Sequence, residues 1–360
     1  MEIEGRSEVK VRSTSLTDDV LVEILSRLSV KSLLRFMCVS KEWHALIKSS
    51  YFTTIHLERS DRKLSLVFKS KLTKDGYEFA MSLLRNESTP NLSLDLSFLD
   101  CTIWSFRISI RVVGSSNGLV CLSLFQYIVV WNPATKQFRF LPNKTAYHRL
   151  LGFEFIQDIS DYKLVSILLH DDNIFRAKVF TRRSNCWREV KSHCCSPLGV
   201  VCVGFSSITL TGVLYSPLQI EHRVSHLNDK TSRDEVFHVI PLPESISRTS
   251  ALFSWKNSLA FLGGHEQEPD CELWMMTEEP SATTRMPWVK QLILKPSSLS
   301  RYIFGSWKDE CLLWRDTNDE DLHFYDPTSQ KLTKLPQHDQ THGYRYDQAI
   351  NYVESLVSVD

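Results

Sequence analysis

The sequence has no excess of charge of either sign, since 42 Lys and Arg residues balance 42 Asp and Glu residues among 360. A nucleic-acid-binding domain normally shows a basic excess, so we expect no nucleic-acid partner. No apolar run is long enough to cross a membrane, because the densest stretch, 118–131, is interrupted by Ser123 and Gln126. The first 15 residues are charged and unlike a secretory signal peptide. We therefore expect a protein of the cytoplasm, the nucleus or both, without membrane attachment.

The sequence also has few of the patterns that mark catalytic or metal sites. Its nine cysteines include no C-x-x-C pair, and no four ligands have the spacing of a zinc site. No G-x-S-x-G, phosphate-binding-loop or H-E-x-x-H motif occurs. His338 and His342 lie in a polar stretch, and the acidic run 316–321 has no glycine of the calcium-loop kind. We therefore expect no catalytic residues, no metal and no cofactor, and a protein that is not itself an enzyme.

What the sequence does have is a concentrated apolar helical pattern between Leu16 and Phe52. Thr17 is placed to cap a first helix, in which apolar side chains recur at helical spacing. A second apolar group falls at 33–37, and a third follows Ser40, the expected cap of a third helix. Very small domains bury too small a fraction of their surface to hide this much apolar area. The pattern predicts a small three-helix unit with an apolar face that a partner covers.

These residues resemble the F-box, the helical adaptor that binds SKP1 in SCF (SKP1–cullin–F-box) ubiquitin ligases. The resemblance rests on 23–28, 30–36 and 38–41 followed by Trp43, whereas Thr17 and Ser29 stand where the family usually has proline. It implies a SKP1-like protein as partner, and cullin-1 through it. The implied SKP1-binding residues are Leu16, Val20, Ile24, Leu25, Leu28, Leu33, Leu34, Val39 and Trp43. On the alternative interpretation some of these fill the small core, in particular Trp43, which precedes Leu46 and Ile47 at helical spacing.

Beyond Phe52 the pattern changes to short β-branched and aromatic runs between turn residues, as in 118–122, 127–131 and 162–168. The segment WNPATKQFRFLP at 131–142 aligns with YDPTSQKLTKLP at 325–336, and each places an Asx-Pro turn between two strands. The copies lie 194 residues apart (327 − 133), or four steps of about 48, near a propeller repeat length. Three weaker copies of this hairpin pattern begin near 179, 226 and 273. Five hairpins in phase predict an all-β domain, a β-propeller of about six to seven blades.

The β-rich region resembles the F-box-associated domain of plant F-box proteins, a kelch-like β-propeller relative. The resemblance rests on GSSNGLV at 114–120, on the hairpin at 131–142, on 151–153 ahead of 161–165, and on 352–357. The first and last of these also resemble the S-locus F-box proteins of pollen. Because a propeller must close on itself, we expect a strand at 352–357 to complete a blade begun at 64–68.

The patterns divide the chain into four regions. These are a disordered N-terminal tail at 1–14, the F-box at 15–60, a connecting region with the first blade strands at 61–109, and the F-box-associated propeller-like domain at 110–357. Four tryptophans fall outside the hairpin phase and are candidates for substrate binding, because Trp supplies a large contact area. They are Trp104, Trp255, Trp307 and Trp314.

Together the two resemblances predict a substrate-recognition adaptor of an SCF ubiquitin ligase. The F-box would bind SKP1, and the β domain would bind a protein substrate for ubiquitination and proteasomal degradation by raising its local concentration. A narrower alternative is an S-locus-type pollen F-box protein that recognises a ribonuclease. Another is a propeller lectin or enzyme outside the ubiquitin system, which the missing site motifs disfavour.

Overall fold

The computed structural model describes the helical segment and the strands of the β-rich region. The described residues are 18–60, 64–73, 76–85, 92–94, 96, 110–124, 127–141, 150–169, 175–190, 208–210, 213–218, 223–228, 236–241, 243, 245–246, 248–265, 270–277, 288–294, 302–307, 311–315, 322–335 and 345–360. The predicted tail at 1–14, Thr17, the pair His338 and His342, and the acidic run 316–321 lie outside them.

Four helices form the described N-terminal segment: α1 (Asp18–Leu25), α2 (Val30–Phe36), α3 (Lys41–Lys48) and α4 (Ser50–Arg59). The first three lie where the sequence predicted a three-helix unit, and α4 corrects that number. Its apolar residues do not form one stripe, so helical periodicity did not reveal it. It forms because Ser49 caps it and because tertiary packing buries Phe52 and Leu57.

Serine hydroxyls cap the N-termini of three of the helices. They accept a backbone N–H three residues further on: Ser29 from Ser32 at 3.4 Å, Ser40 from Trp43 at 3.2 Å, and Ser49 from Phe52 at 3.1 Å. The predicted cap at Ser40 is confirmed. At position 29 the hydroxyl satisfies a free N–H of the first turn, whereas a proline would have acted by fixing the backbone.

The core of the helical segment is filled by its own side chains. Leu25, Leu33, Ile47 and Phe52 are at most 1% exposed and form one cluster. Half-buried side chains, among them that of Leu28, pack around it. Apolar side chains that point away from this cluster are therefore not buried by the helical segment itself.

The described strands form six four-stranded antiparallel sheets. The first sheet, in spatial order, contains β24 (Arg345–Tyr352), β1 (Leu64–Thr73), β2 (Gly76–Leu84) and β3 (Leu92–Leu94). The second contains β4 (Arg111–Ser116), β5 (Leu119–Ser123), β6 (Ile128–Asn132) and β7 (Gln137–Leu141). The third contains β8 (Leu150–Ile156), β9 (Asp161–Leu169), β10 (Phe175–Thr181) and β11 (Cys186–Glu189). The fourth contains β12 (Ile208–Leu210), β13 (Val213–Leu218), β14 (Arg223–Asn228) and β15 (Val236–Pro241). The fifth contains β16 (Arg248–Trp255), β17 (Ser258–Gly264), β18 (Cys271–Met276) and β19 (Trp288–Leu294). The sixth contains β20 (Tyr302–Trp307), β21 (Cys311–Arg315), β22 (Leu322–Asp326) and β23 (Lys331–Lys334).

The first strands of the sheets contact one another in a closed succession. The order is β24, β4, β8, β12, β16 and β20, and β20 contacts β24 again. Among the side chains that are described, buried apolar clusters lie between neighbouring sheets, for example between the first and second sheets around Phe68, Leu122 and Trp131. A ring of four-stranded sheets packed face to face is a β-propeller. The predicted order of a helical F-box-like segment followed by a propeller is confirmed.

The five predicted hairpins are also confirmed, because each one forms the third and fourth strands of a sheet. They are β6–β7, β10–β11, β14–β15, β18–β19 and β22–β23. In the first aligned copy Asn132 pairs with Gln137, and in the last Asp326 pairs with Lys331. The sequence repeat therefore corresponds to the third and fourth strands of five of the six sheets.

The ring is closed by β24, which pairs with β1 in the register Leu64 with Tyr352 and Phe68 with Gln348. The prediction that a last strand completes the blade begun at 64–68 is confirmed, but the bounds of that strand are corrected from 352–357 to 345–352. Tyr352 already pairs with the first residue of β1, so residues 353–360 have no further strand residues to pair with. They continue as a tail without regular secondary structure.

The propeller has two faces that differ in what they carry. Neighbouring strands of a sheet are antiparallel, so the first and third strands end, and the second and fourth begin, on one face, which we call the tail face. The opposite ends of the strands define what we call the connection face. Because β1 is the second strand of its sheet, it starts at the tail face, and β24 ends there. The helical segment and the C-terminal tail therefore meet the propeller on the same face.

Candidate functional site: the exposed face of the helical segment

Four large apolar side chains of the helical segment are exposed. The exposed fractions are 43% for Val20, 48% for Ile24, 64% for Val39 and 61% for Tyr51. Val20 and Ile24 are one turn apart and so lie on one side of α1. The filled core leaves these side chains no internal cover. Adjacent exposed apolar side chains, such as Val20 and Ile24, are candidates for a site of protein contact.

The structure divides the nine predicted partner-binding residues by exposure. Val20, Ile24 and Val39 are exposed, Leu28, Leu34 and Trp43 are half-buried, Leu25 and Leu33 are buried, and Leu16 lies outside the described residues. Leu25 and Leu33 are corrected from surface contacts to core residues, since exposures of 1% and 0% leave nothing for a partner to touch. We call the six accessible residues the partner face. Whether this face binds a partner stays a prediction.

The surroundings of Trp43 are compatible with both interpretations that the sequence left open, a core residue and a partner contact. Its ring packs edge-on against Phe36, with centroids 5.5 Å apart and planes at 77°, and it contacts the core cluster. It is nevertheless only half-buried, so part of the ring remains accessible. A large aromatic that is fixed on one side and open on the other suits a protein contact, because little conformational freedom is lost on binding.

Tyr51 was missed by the sequence reasoning, although it is one of the most exposed apolar side chains. It lies in the first turn of α4, beside the fully buried Phe52. Two adjacent aromatics point in directions about 100° apart on a helix, so one can be buried while the other faces solvent. Recognising α4 from the cap at Ser49 would have revealed this position.

An ion-pair network fixes α1, the helix that carries Val20 and Ile24. The carboxylate of Glu23 accepts from Arg59 Nη2 through Oε2 at 2.5 Å and from Arg27 Nη2 through Oε1 at 2.5 Å. These hydrogen bonds, that of Arg59 first, lower the pKa of Glu23 to about 2. Arg59 Nη1 also donates to Ser26 Oγ at 2.7 Å. The end of α4 is thereby attached to α1.

His56 attaches α4 to the connection between α1 and α2. It is 4% exposed, and its Nε2–H donates to the carbonyl oxygen of Leu28 at 3.0 Å. Burial lowers the pKa of His56, which favours the neutral ring. A buried neutral histidine with a carbonyl partner is a structural group, and here it fixes the backbone of Leu28.

The tryptophans predicted for substrate binding are not exposed where they can be described. Trp255 is 2% exposed in the cluster between the fifth and sixth sheets, and Trp307 is 0% exposed. The Trp307 ring packs on Phe324 with centroids 5.2 Å apart. Each is the last residue of the first strand of its sheet. The sequence repeat covers only the third and fourth strands, so it gave no information about this position. They are corrected to core residues, whereas Trp104 and the side chain of Trp314 lie outside what is described.

The described part of the chain holds no group of three or more His, Cys, Asp or Glu side chains placed to bind a metal ion. Nor does any helix there reach a bilayer's thickness, since the longest has 10 residues and a crossing takes about 20 apolar ones.

Comparison with solved structures identifies the fold of the β-rich region. TolB from Acinetobacter baumannii superposes with a TM-score of 0.53 at 8% identity, over 79% of this chain and 66% of TolB. A chain of a nidogen–laminin complex superposes with a TM-score of 0.51 at 12% identity, over 81% of this chain and 99% of that one. At such identities the similarity concerns the fold alone.

Comparison of sequences identifies the family. The pattern of the F-box domain matches residues 14–55, and that of the F-box associated beta propeller domain matches residues 62–359. A relative from Arabidopsis thaliana that is named as an F-box protein is 26% identical over 377 residues, 97% of this chain and 94% of its own. A second is 29% identical over 285 residues, 75% of this chain and 71% of its own. A third is 31% identical over 180 residues, but this match spans only about half of either chain, 49% and 47%. The chain therefore belongs to the plant F-box proteins that carry an F-box-associated β-propeller domain.

Proposed function

We propose that this protein is the substrate-recognition subunit of an SCF ubiquitin ligase. The partner face of the F-box binds a SKP1-like protein, and through it cullin-1, while the propeller binds a protein substrate for ubiquitination and proteasomal degradation. The observation that carries the proposal is the exposure of Val20, Ile24 and Val39 above a core that is already filled. Membership of the F-box family supports the choice of partner.

The proposed role requires no bond chemistry from this chain. A subunit that holds two proteins together converts their encounter into a local one and raises the effective concentration of the substrate near the ubiquitin carrier. The balanced charge gives no general attraction to nucleic acid. We propose that the complex works in the cytoplasm, the nucleus or both.

We further propose that the substrate binds at the connection face of the propeller, with each of the six sheets acting as one blade. The helical segment precedes β1 on the tail face, and the C-terminal tail follows β24 on the same face. A substrate on the opposite face meets neither of them. Long connections that lie on a rigid scaffold are also where binding residues usually occur.

Binding of a purified SKP1-like protein to the full chain tests the adaptor proposal. The variant Val20→Asp with Ile24→Asp places two charges on the partner face, and we expect it to weaken binding at least about tenfold, the loss typical of important interface residues. The residues are 43% and 48% exposed, so the fold should not suffer.

A matched control exists on the propeller. Val289 and Ile293 lie four apart on β19 and are 46% and 51% exposed, so Val289→Asp with Ile293→Asp repeats the same chemistry elsewhere. We expect this control to bind like the wild type. Equal binding by both variants, or no binding by the wild type itself, would refute the proposal.

A further inference from the structure

We propose that residues 353–360, which we call the C-terminal strap, fix the orientation of the F-box on the propeller. Its consequence for ubiquitin transfer rests on the proposed function, but the structural claim does not. The strap contacts both the propeller and the F-box, through the hydrogen bonds and apolar contacts described below.

One side of the strap is bound by a buried asparagine of the second sheet. Asn132, at the end of β6, is 0% exposed, and its Nδ2 donates to the carbonyl oxygens of Ser355 at 3.1 Å and Val357 at 2.8 Å. Its Oδ1 accepts from the backbone N–H of Ala134 at 3.0 Å. The same side chain therefore forms the Asx turn of the hairpin and binds the strap.

The equivalent residue in the other aligned hairpin cannot bind a strap in this way. Asp326 forms the same local turn, because its Oδ1 accepts from the N–H of Thr328 at 2.8 Å and its Oδ2 from the hydroxyl of Ser329 at 2.6 Å. An ionised carboxylate has no hydrogen to donate to a carbonyl oxygen. The choice of Asn at 132 thus distinguishes the hairpin that the strap crosses.

The strap also crosses the turn between β4 and β5 at very close range. Gly118 has φ +83°, and a Cβ at this residue would lie 2.7 Å from the carbonyl oxygen of Val353 and would overlap the side chain of Ser355. The Ser355 hydroxyl donates to the carbonyl oxygen of Asn117 at 2.7 Å. Glycine is needed here for two reasons, the positive φ and the close approach of the strap.

The far end of the strap is attached to the third sheet. The hydroxyl of Tyr162 donates to the carbonyl oxygen of Val359 at 3.3 Å, and Arg182 Nη1 donates to the backbone oxygen of Asp360 at 2.8 Å. Val357 and Val359 are 4% and 1% exposed in the cluster shared by the second and third sheets. The strap therefore has a defined course across two sheets.

Other side chains of the strap contact the helical segment and its surroundings. Leu356, between the propeller-bound Ser355 and Val357, packs against the F-box core that contains Leu25 and Phe52. Glu354 pairs with Arg85, which follows β2, at 2.8 Å. The strap thus contacts the F-box core and three of the sheets.

These contacts give the F-box a second attachment to the propeller. The covalent connection from α4 to β1 fixes the position of the end of the F-box, but a single attachment still allows the F-box to rotate about it. A second attachment through Leu356 removes that freedom. Because ubiquitin transfer needs the substrate to be held near the ubiquitin carrier, a fixed angle between the partner face and the connection face should favour transfer.

The test compares full-length variants by the distance distribution between two spin labels, placed at the exposed residues Lys48 and Lys331. Leu356→Asp removes the F-box contact, and Asn132→Asp removes the donor to the strap while it keeps the Asx turn. We expect each to broaden the distribution at least about twofold, because an unlocked domain samples many angles. Unchanged distributions in both variants would overturn the proposal.

Two matched controls separate this effect from general damage. Ser358→Asp introduces the same charge at an exposed residue of the strap, and Asp326→Asn makes the reciprocal change in the hairpin that the strap does not cross. Both should keep the narrow distribution of the wild type. Broadening in these controls as large as in the test variants would also overturn the proposal. Should either test variant fail to fold, the other carries the measurement.

Binding and transfer separate the strap from the adaptor proposal. The partner face shares no residue with the strap, so we expect the affinity of Asn132→Asp for the SKP1-like protein to stay within about threefold of the wild type. Self-ubiquitination in a reconstituted ligase should nevertheless fall several-fold. A wild type that binds no SKP1-like protein would defeat the adaptor proposal, while the label distances would still decide the structural role of the strap.

Discussion

The buried lysine of the closing strand pair allows a quantitative prediction. Lys69 lies on β1, opposite Tyr346 of β24, and is 1% exposed. Val67, on the same side of the strand, belongs to the apolar cluster between the first and sixth sheets. Burial lowers the pKa of Lys69 from 10.5 to about 8, because removal from water disfavours the ammonium form. The closing strand pair therefore contains a charge that opposes folding at neutral pH.

The magnitude follows from linkage between protonation and folding. A fall in pKa from 10.5 to about 8 corresponds to roughly 3 kcal/mol of unfavourable free energy when the group is charged in both states. Between about pH 8 and 10.5 the unfolded chain holds a proton that the folded chain has lost, so the free energy of unfolding should rise with pH. We expect this group to add about 2 kcal/mol to the free energy of unfolding of the wild type between pH 7 and 9.5, and Lys69→Met to lose this pH-dependent rise.

Urea unfolding of the full chain at pH 7.0, 8.5 and 9.5 measures both effects. Lys71→Met, which removes the same charge from a more accessible position of β1, serves as the control and should keep the pH dependence of the wild type. The reasoning is refuted if the free energy of unfolding of Lys69→Met rises between pH 8 and 9.5 as much as that of the wild type.

Three further predictions concern single positions. Gly118→Ala should lower the free energy of unfolding by about 1–3 kcal/mol, because the positive φ and the nearby carbonyl oxygen of Val353 both oppose a side chain. An unchanged midpoint of thermal unfolding would contradict this prediction. Trp307→Ala should cost about 3–5 kcal/mol in urea unfolding, the loss expected of a core aromatic, whereas a residue needed only for binding would leave stability unchanged. The ion pairs of Glu23 should contribute to stability above about pH 4.5, and this contribution should be lost as the pH falls through about 2. The helical circular-dichroism signal of Glu23→Gln should therefore depend less on acid than that of the wild type. Equal acid profiles of the two proteins would contradict this prediction.

Local chemistry explains what the sequence predicted well. Two of the five hairpins were found because their Asx-Pro pairs have turn conformations that do not depend on distant residues, and the other three because they recur at the same spacing. The cap at Ser40 is likewise a contact within one turn of helix. Family resemblance rests on the same local motifs, so the order of F-box and propeller was readable from the sequence.

Packing explains what the sequence did not predict. Ile24 and Leu25 are neighbours of equal apolarity, but one is 48% exposed and the other 1%, because only the other helices decide which side of α1 becomes core. The same holds for Trp255 and Trp307, whose exposure depends on how the sheets stack. Helix α4 depends on burial more than on its own period.

The sequence by itself determined the five hairpins, the Asx-Pro turns and the family, because these follow from local motifs and their spacing. Only the tertiary structure decided what Asn132 and Asp326 do beyond their identical local turns. The strap carbonyl that Asn132 binds most closely, that of Val357, is 225 residues away along the chain, and no local pattern specifies such a contact. It arises when the ring closes and brings the end of the chain across the second sheet and beside the F-box.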